Sequence, residues 1–375
     1  MARIVLFCHS LRSDWNHGNA HFLRGVVGEL QRRGFAVAAF EPEHSWSARN
    51  LLADLGPSAL DAWRTAYPDL PVAAYDPVLI DLDRALDGAD LVLVHEWNDP
   101  ALIARLAARR RAGARYLLLF HDTHHRMASA PGEMAELDLD GFDAVLAFGE
   151  TLSAAYRRRG WGRNVFTWHE GADLHVFRPD PDRPRQRDLV WVGNWGDDER
   201  AAELQEFLVE PAATLRLSAR VHGVRYPAPA RAALTSAGID YAGYLPNFAV
   251  PQAFAEARTT VHIPRRPYAR MLPGIPTIRM FEALACGIPL ISAPWDDCEN
   301  LFTSSEDYLT ARDGAEMRRR LADLCADPAL RADLAARGRA TVVARHSCAR
   351  RVDELLGICS ALGRDLAAPA MAAVP

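Results

Sequence analysis

The sequence predicts an α/β protein with two parallel-sheet domains. Its 375 residues suit about two domains of ordinary size. In the first half, continuous apolar runs alternate with helical patterns, which is typical of strands buried on both faces of a sheet. A charged segment that contains prolines then interrupts the apolar pattern, and strands and helices start again after it.

The first half opens with a β-loop-α-β pattern, the repeating unit of a parallel sheet. Residues 3–9 predict a strand, residues 10–19 a polar loop that contains glycine, and residues 35–42 a second strand. The helix between them has apolar residues at helical spacing and ends at Gly34. Residues 45–80 are less regular and are expected to decorate one end of the sheet. Three more apolar runs predict strands at 89–97, 114–122 and 143–149.

The second half repeats this pattern after a linker at residues 179–188. Residues 313–346 predict two or three helices. A last helix, residues 347–365, is expected to pack back on the first domain, residues 1–178. Residues 366–375 are expected to be a disordered tail. The second domain covers residues 189–346, with strands predicted at 189–195, 219–224, 239–245, 259–264 and 288–294.

Composition argues against nucleic-acid and membrane functions. The formal net charge is −5 and the pI is about 6.2, so the basic run at 105–115 predicts a solvated helix face rather than a nucleic-acid surface. The sequence contains no run of 18 apolar residues, so no membrane span is predicted. The six cysteines are scattered without a C-x-x-C pair, which indicates reduced thiols in a cytoplasmic protein.

Two glycine-bearing loops are candidates for anion binding. Gly18 lies just before a predicted helix, and Gly193 and Asn194 follow a predicted strand in the same way. The full G-x-G-x-x-G pattern is absent, so a plain tight turn stays possible in the first loop. In the second loop, Arg200 is a candidate contact to a diphosphate. The alternative is that Arg200 pairs with Asp197 or Glu199 on the surface.

Polar side chains also follow two strands of the first half. The motif FHDTHHR (120–126) predicts a polar wall with one histidine touching substrate, and a metal site is the weaker alternative. The motif VHEW (94–97) ends the preceding strand, where alternate side chains point in opposite directions. A purely structural role for the VHEW side chains is the alternative. The acceptor-side candidates are His95, Glu96, Asp122 and His124.

A basic loop leads into the helix that contains Glu282. Its arginines lie around a Pro/Gly loop at a helix start, a combination that favours anions. Arg279 and Glu282 are three residues apart, so they share a helix face, and a simple salt bridge is the alternative to a ligand contact. The small residues Ala283 and Gly287 leave room for a ligand. The arginines are Arg265, Arg266, Arg270 and Arg279.

The motif FEALACGIPLIS (281–292) resembles that of the retaining GT-B glycosyltransferases of the group 1 (GT4-like) type, in particular their CgeB-like branch. The segment VFTWHEGADLHVFRP (165–179) is similar to the family's interdomain segment, and VGNW (192–195) and YAGYLPN (241–247) match in order and place. The resemblance covers most of residues 1–360. It implies two Rossmann-like β/α/β domains that face each other across a cleft, with the donor held mainly by the second domain and the acceptor mainly by the first.

The resemblance also implies roles for single residues. Glu282 would bind the ribose hydroxyls, and the loop of Gly274, Ile275, Thr277 and Arg279 would meet the diphosphate. Gly18 would sit beside the phosphates and His121 near the donor sugar, while Tyr244 and Leu245 would border the base. Gly193 and Asn194 belong to the nucleotide-sugar side. The predicted catalytic residues are His121, Arg200 and Arg279.

The chain departs from the family pattern at two positions. Gly274 stands where many members have a second Glu facing the sugar, and Asn194 and Arg200 stand where a phosphate-binding Arg and Lys are usual. The predicted function is transfer of a sugar, as by a hexosyltransferase of class EC 2.4. The donor is a UDP- or GDP-sugar and the acceptor is a small molecule, glycan or protein, with retention and no metal or other cofactor. The alternatives are a GT-B epimerase or hydrolase, and a non-catalytic nucleotide-sugar-binding protein.

Overall fold

The computed structural model describes residues 1–366, and it divides the chain into two compact units. The first unit contains Met1–Glu170 together with the chain from Cys348 onward, and the second contains Gly171–Ser347. The predicted disordered tail, apart from its first residue, lies outside the described residues. Within residues 1–366, no helix has the length and apolar character needed to cross a membrane.

The first unit is built on a seven-stranded sheet in which neighbouring strands pair in parallel. Its strands are β1 (Arg3–Phe7), β2 (Ala36–Pro42), β3 (Val72–Tyr75), β4 (Leu91–His95), β5 (Leu117–Asp122), β6 (Ala144–Ala147) and β7 (Val165–Thr167). Their order is β3-β2-β1-β4-β5-β6-β7. The order reverses between β1 and β4, and the loops after these strands flank the point where open α/β sheets bind ligands.

Helices connect these strands, and local sequence fixes where several of them begin. Ser45 caps the second helix by accepting from the backbone N–H of Ala48, and Asp99 accepts from Ala101 just before a proline in the first helical turn. Both starts are therefore set by neighbouring residues. The helices are α1 (Ala20–Arg32), α2 (Trp46–Leu55), α3 (Ser58–Ala66), α4 (Leu82–Leu86), α5 (Pro100–Arg111), α6 (Arg126–Ser129), α7 (Pro131–Ala135) and α8 (Glu150–Arg159).

The second unit has a six-stranded parallel sheet. Its strands are β8 (Arg187–Val192), β9 (Ala219–His222), β10 (Asp240–Gly243), β11 (Ala257–His262), β12 (Leu290–Ser292) and β13 (Leu309–Thr310). The order is β10-β9-β8-β11-β12-β13, so the reversal lies between β8 and β11. The loops after β8 and β11 are therefore the first place to look for a ligand.

The helices of the second unit cover this sheet with a buried apolar core. A π-helical segment, Gln205–Val209, joins two short helices into one stretch. The predicted helical region at 313–346 is two helices, separated where Asp327 caps the second by accepting from Ala329 and Leu330. The helices are α9 (Ala201–Leu204), α10 (Glu210–Leu215), α11 (Ala228–Ser236), α12 (Val250–Ala255), α13 (Arg266–Met271), α14 (Ile278–Ala285), α15 (Gly314–Ala326) and α16 (Pro328–Arg345).

The last helix, α17 (Cys348–Ala361), belongs to the first unit. It packs on α1, and Asp353 forms an ion pair of 2.6 Å with Arg33 just beyond the end of that helix. The indole N–H of Trp168, a fully buried side chain, donates to the carbonyl of Arg351 at 2.8 Å. The chain thus completes its first unit only after it has built the second.

The long apolar runs were predicted as strands, and all ten of them are strands. Three strands were missed. One is β3, an edge strand of four residues inside the segment expected to be irregular, and β7 and β13 have three and two residues. Runs this short carry too few residues for a periodic signal.

Two helical glycines should respond to alanine with opposite signs. A Cβ at Gly338, in α16, would lie 2.6 Å from the carbonyl oxygen of Asp307 and 2.8 Å from Leu284 Cδ2. We expect Gly338→Ala to destabilise the second unit by roughly 1–3 kcal/mol because the packing must shift. At Gly357, in α17, nothing lies within 4 Å of such a Cβ, so Gly357→Ala is expected to stabilise by about 0.5–1 kcal/mol.

Chemical denaturation of both variants measures these changes. A neutral or stabilising Gly338→Ala would contradict the packing described for α16.

Candidate functional site

A buried arginine lies at the strand-order reversal of the second unit. Arg200 is 7% exposed and donates from Nη1 to the carbonyl of Ile263 at 3.1 Å, in the loop after β11. Its Nη2 donates to the carbonyl of Asn194, in the loop after β8. The guanidinium therefore joins the two loops that flank the reversal, and it stacks on Trp191 with 5.1 Å from Cζ to the ring centroid.

The charge of Arg200 has no acidic partner. Among residues 1–366, no carboxylate lies within ion-pair distance of it, and its Nε has no hydrogen-bond partner. Burial, with the like charge of Arg265, lowers the pKa of Arg200 to about 9. The group is still a cation at neutral pH, and a buried cation with an unused donor favours an anionic or polar ligand.

The predicted alternative for Arg200, a surface ion pair, is wrong. Asp197 instead pairs with Arg225 at 2.9 Å, and Glu199 pairs with Arg265 at 3.1 Å. Arg266 pairs with Glu203 at 2.8 Å, so both Arg265 and Arg266 have acidic partners. These pairs fasten the start of α13 to the segment after β8, and Arg200 forms no ion pair of its own within residues 1–366.

Gly193 and Asn194 shape the loop after β8. A Cβ at Gly193 would lie 2.6 Å from the ring of Trp191, so this position has no room for a side chain. Asn194 Oδ1 accepts from the backbone N–H of Val224 at 2.9 Å and so ties this loop to the one after β9. Both predicted residues therefore hold the loop that places Arg200.

The predicted diphosphate loop precedes α14, where Gly274 has a φ of +87°. This conformation favours glycine, and a Cβ here would lie 2.7 Å from Oε1 of the Glu299 side chain, which would have to shift. Ile275 is buried and Thr277 is the residue before the helix, where its side chain makes no capping bond.

The Arg279–Glu282 salt bridge predicted as an alternative is present. The Glu282 side chain is fully buried, and Arg279, 15% exposed, donates to its Oε2. A buried carboxylate keeps its charge only with such donors. The ion pair sits in the same turn of α14 that the resemblance assigns to the ribose.

The loops after β8 and β9 line a pocket of about 490 Å³. Its aromatic walls are Trp195 and Tyr226, whose ring centroids are 5.5 Å apart. Tyr226 in turn lies 4.8 Å from Tyr241 of β10. Tyr244 and Leu245, predicted to border the base, are half-buried in the loop after β10. The remaining lining residues are Asp197, Asp198, Arg225 and Pro227.

His262 was missed by sequence reasoning, which treated it only as part of a strand. It is the last residue of β11, its side chain is 1% exposed, and its Nε2 has no hydrogen-bond partner. The available signal was its position, because a polar residue that ends a central strand points to the ligand edge of a sheet.

Four histidines gather at the strand-order reversal of the first unit. The ring centroids are 5.0 Å apart for His9 and His17, 6.0 Å for His17 and His95, and 5.5 Å for His95 and His121. His121 is fully buried and neither of its ring nitrogens has a partner. Burial lowers its pKa to about 3, so the imidazole is neutral.

Two hydrogen bonds tie the histidine cluster together. His95 Nε2 is 3.0 Å from the hydroxyl of Thr123, and the Asn19 amide, which precedes α1, donates to that same hydroxyl. Gly18, the predicted anion-loop residue, is half-buried directly before Asn19. The predicted residues Gly18, His95 and His121 are thus brought to one edge of the first sheet.

The two acids predicted on the acceptor side have hydrogen-bond or ion-pair partners within the first unit. Glu96 is fully buried and accepts from Arg126 at 2.7 Å. Asp122 accepts from the hydroxyl of Tyr156 at 2.6 Å and from the backbone N–H of His124 at 3.0 Å. Burial raises the pKa of Asp122 to about 6, and burial together with the charge of Asp122 raises the pKa of Glu96.

Trp97 and Arg126 are further residues that sequence reasoning did not select, although both lie in the quoted motifs. Arg126 Cζ is 3.8 Å from the centroid of Trp97, and the His124 ring packs edge-on with Trp97 at a centroid distance of 4.9 Å. Trp97 is 37% exposed. The buried Glu96 thus holds a cation that supports a partly exposed aromatic ring.

No group of three or more His, Cys, Asp or Glu side chains is arranged to hold a metal ion in the part of the chain that the structure describes. In the HDTHH motif, the His124 ring packs against His125 with 4.0 Å between centroids, and His125 Nδ1 lies 2.8 Å from the hydroxyl of Ser129.

Comparison with known proteins locates a family match in the second half of the chain. Residues 200–357 match a family model described as glycosyl transferase-like. The match includes Arg200, His262 and Glu282. No curated protein matches the chain.

Solved glycosyltransferases share the fold over nearly the whole chain. Sucrose-phosphate synthase from Thermosynechococcus elongatus is 17% identical, with a TM-score of 0.64 over 97% of this chain and 99% of that one. HepE of Anabaena, solved with UDP and glucose, is 14% identical, with a TM-score of 0.67 over 96% and 100%. The T4 phage enzyme BGT, solved with UDP and Mn²⁺, is 11% identical, with a TM-score of 0.61 over 97% and 100%. The predicted GT-B class is confirmed.

The histidine cluster should make the first unit sensitive to acid. Unfolded imidazoles titrate near pH 6.5, whereas burial lowers the pKa of His121 to about 3 and the pKa values of His17 and His95 well below 6.5. The unfolded state therefore binds more protons below pH 6.5. The contribution of each histidine is fully present above that pH and falls by about 1.4 kcal/mol for each pH unit below it, down to its folded pKa. The raised pKa values of Asp122 and Glu96 act in the opposite direction.

Hydrogen exchange of the β5 amides at pH 7.5 and 5.5 measures this loss. In His121→Phe, the loss between the two pH values should shrink by about 1.4 kcal/mol, because one titrating group is gone. His44→Phe is the control, since His44 is exposed in the same unit. An unchanged loss in His121→Phe would show that His121 does not titrate on unfolding.

Proposed function

We propose that the protein is a glycosyltransferase that moves a sugar from a nucleoside diphosphate to an acceptor hydroxyl. The observation that carries this proposal is the buried, uncompensated Arg200 at the strand-order reversal of the second unit. A nucleoside diphosphate supplies the negative charge that this cation lacks. The family match over residues 200–357 and the fold support the same reaction class.

The proposed reaction needs a stabilised leaving group. As the bond between the anomeric carbon and the phosphate oxygen breaks, negative charge grows on the diphosphate. Arg200, Arg279 and the backbone N–H groups at the start of α14, which has no side-chain cap, are the donors assigned to that charge. The acceptor oxygen bonds to the anomeric carbon on the face that the diphosphate leaves, and its proton passes to the departing phosphate oxygen. This route gives retention.

The finer assignments belong to the same proposal. Glu282 binds the ribose hydroxyls, Tyr244 and Leu245 border the base, and His121 lies on the sugar side. The acceptor is bound by the first unit, where His124 and Trp97 are the accessible residues. The chain is assigned to the CgeB-like branch, to hexosyl transfer without a metal, and to the cytoplasm. The six free cysteines support that location.

Calorimetric titration with UDP, GDP, ADP and dTDP tests the proposal. UDP is the first choice, because HepE and BGT were solved with it. Saturable binding of one nucleotide is expected, and binding of none of the four would overturn the proposal. Product analysis of the matching nucleotide sugar without acceptor then separates the alternatives. An epimerase or hydrolase consumes the donor alone, and a binding protein leaves it intact.

Removing the Glu282 carboxylate should weaken nucleotide binding. We expect Glu282→Gln to cost about 1–3 kcal/mol of binding free energy, because the charged acceptor of the ribose hydroxyls is replaced by a neutral amide. Glu354→Gln is the matched control, since Glu354 pairs with Arg351 at the same three-residue spacing in α17. Calorimetry with the nucleotide that binds wild type measures both variants. Equal affinity of Glu282→Gln and wild type, with an unchanged Tm, would refute the ribose role.

A further inference from the structure

The hydrogen bonds around His262 determine which ring nitrogen carries its proton. His262 ends β11 and pairs in register with Ser292, which ends β12. His262 Nδ1 lies 2.8 Å from Ser292 Oγ, and that hydroxyl donates to the carbonyl of Ala293 at 2.7 Å. A hydroxyl has one hydrogen, so Ser292 accepts at Oγ and Nδ1–H of His262 is the donor.

The other nitrogen, Nε2, is therefore a lone-pair acceptor. Burial and the charge of Arg200 lower the pKa of His262 to about 3, which keeps the ring neutral. The side chain is 1% exposed and Nε2 has no hydrogen-bond partner in the described chain. A buried acceptor without a donor is unfavourable, and such groups in native proteins call for a specific explanation.

An unused donor belongs to Arg200, whose charge acts on His262 and helps to lower its pKa. Arg200 bonds through Nη1 to the carbonyl of Ile263, the residue after His262, while its Nε has no partner. A phosphate oxygen satisfies Arg200 only, since a fully ionised diphosphate has no hydrogen to give to His262. A ligand hydroxyl donates its hydrogen to His262 Nε2, while the charge of Arg200 remains available to a neighbouring phosphate.

We propose that His262 Nε2 accepts a hydrogen bond from a hydroxyl of the bound nucleotide sugar, next to Arg200. Ser292 is a positioning residue that fixes the tautomer required for this contact. The inference rests on the proposed function and adds a specificity-determining residue to the donor site. The hydroxyl belongs to the ribose or to the transferred sugar, and binding measurements distinguish the two.

The tautomer is tested without any ligand. Two-dimensional ¹H–¹⁵N NMR of the imidazole rings, assigned with His262→Gln, should show His262 protonated at Nδ1 and bare at Nε2. In Ser292→Ala the acceptor for Nδ1–H is lost, and a shift toward the Nε2–H tautomer is expected. A wild-type His262 protonated at Nε2 would overturn the inference.

The contact is tested by calorimetry of His262→Phe with UDP, UDP-glucose, GDP and GDP-mannose. We expect affinity for the nucleotide sugar to fall by about tenfold or more, because a ligand hydroxyl is left against an apolar ring. If only the affinity for the nucleotide sugar falls, the hydroxyl belongs to the transferred sugar. If the affinity for the free nucleotide falls equally, the hydroxyl belongs to the ribose. His175→Phe, at an exposed histidine of the same unit, should bind as wild type.

His262→Gln keeps an acceptor oxygen, so it distinguishes the loss of this hydrogen bond from misfolding of the variant. It should recover most of the affinity that His262→Phe loses. Wild-type affinity in a folded His262→Phe would overturn this inference while leaving the proposed function intact. If wild type binds none of UDP, GDP, ADP and dTDP, the proposed function fails and this inference fails with it.

Discussion

The second unit is organised around the two carbonyl bonds of Arg200. One joins its guanidinium to the loop after β8 and the other to the loop after β11. These loops leave the sheet on opposite sides of the strand-order reversal, and Arg200 joins them together with the Arg265–Glu199 and Arg266–Glu203 ion pairs. Asp197, Glu199 and Glu203 are paired with Arg225, Arg265 and Arg266. Arg200 itself forms no ion pair with a carboxylate of residues 1–366.

The two units place different chemistry at equivalent sheet edges. The second presents a cation, a neutral imidazole and an aromatic pocket. The first packs neutral histidines against one another and uses its buried acids internally, with Glu96 on Arg126 and Asp122 on Tyr156. Its accessible part is the Trp97 ring and its half-buried neighbour His124. Such an edge favours a neutral ligand, in contrast to the anion favoured by the other unit.

Sequence reasoning predicted the two parallel sheets and the loop that contains Arg200, because long apolar runs and glycines after strands are local signals. It missed β3, β7 and β13, which are too short for periodicity. It also left the state of Arg200 open, since that depends on Ile263, 63 residues away. The lone pair of His262 depends in the same way on Ser292, 30 residues away. Long-range partners decide these properties, and a single sequence does not list them.

The return of α17 to the first unit has a consequence for synthesis. The second unit is one uninterrupted stretch of chain, so it can fold as soon as it leaves the ribosome. The first unit must wait for its last helix while Gly171–Ser347 is translated, roughly 10–35 s at ordinary elongation rates. During that interval α1 lacks its partner helix, and the buried indole of Trp168 lacks its acceptor at Arg351. The first unit is thus the part of this chain that stays incomplete longest during synthesis.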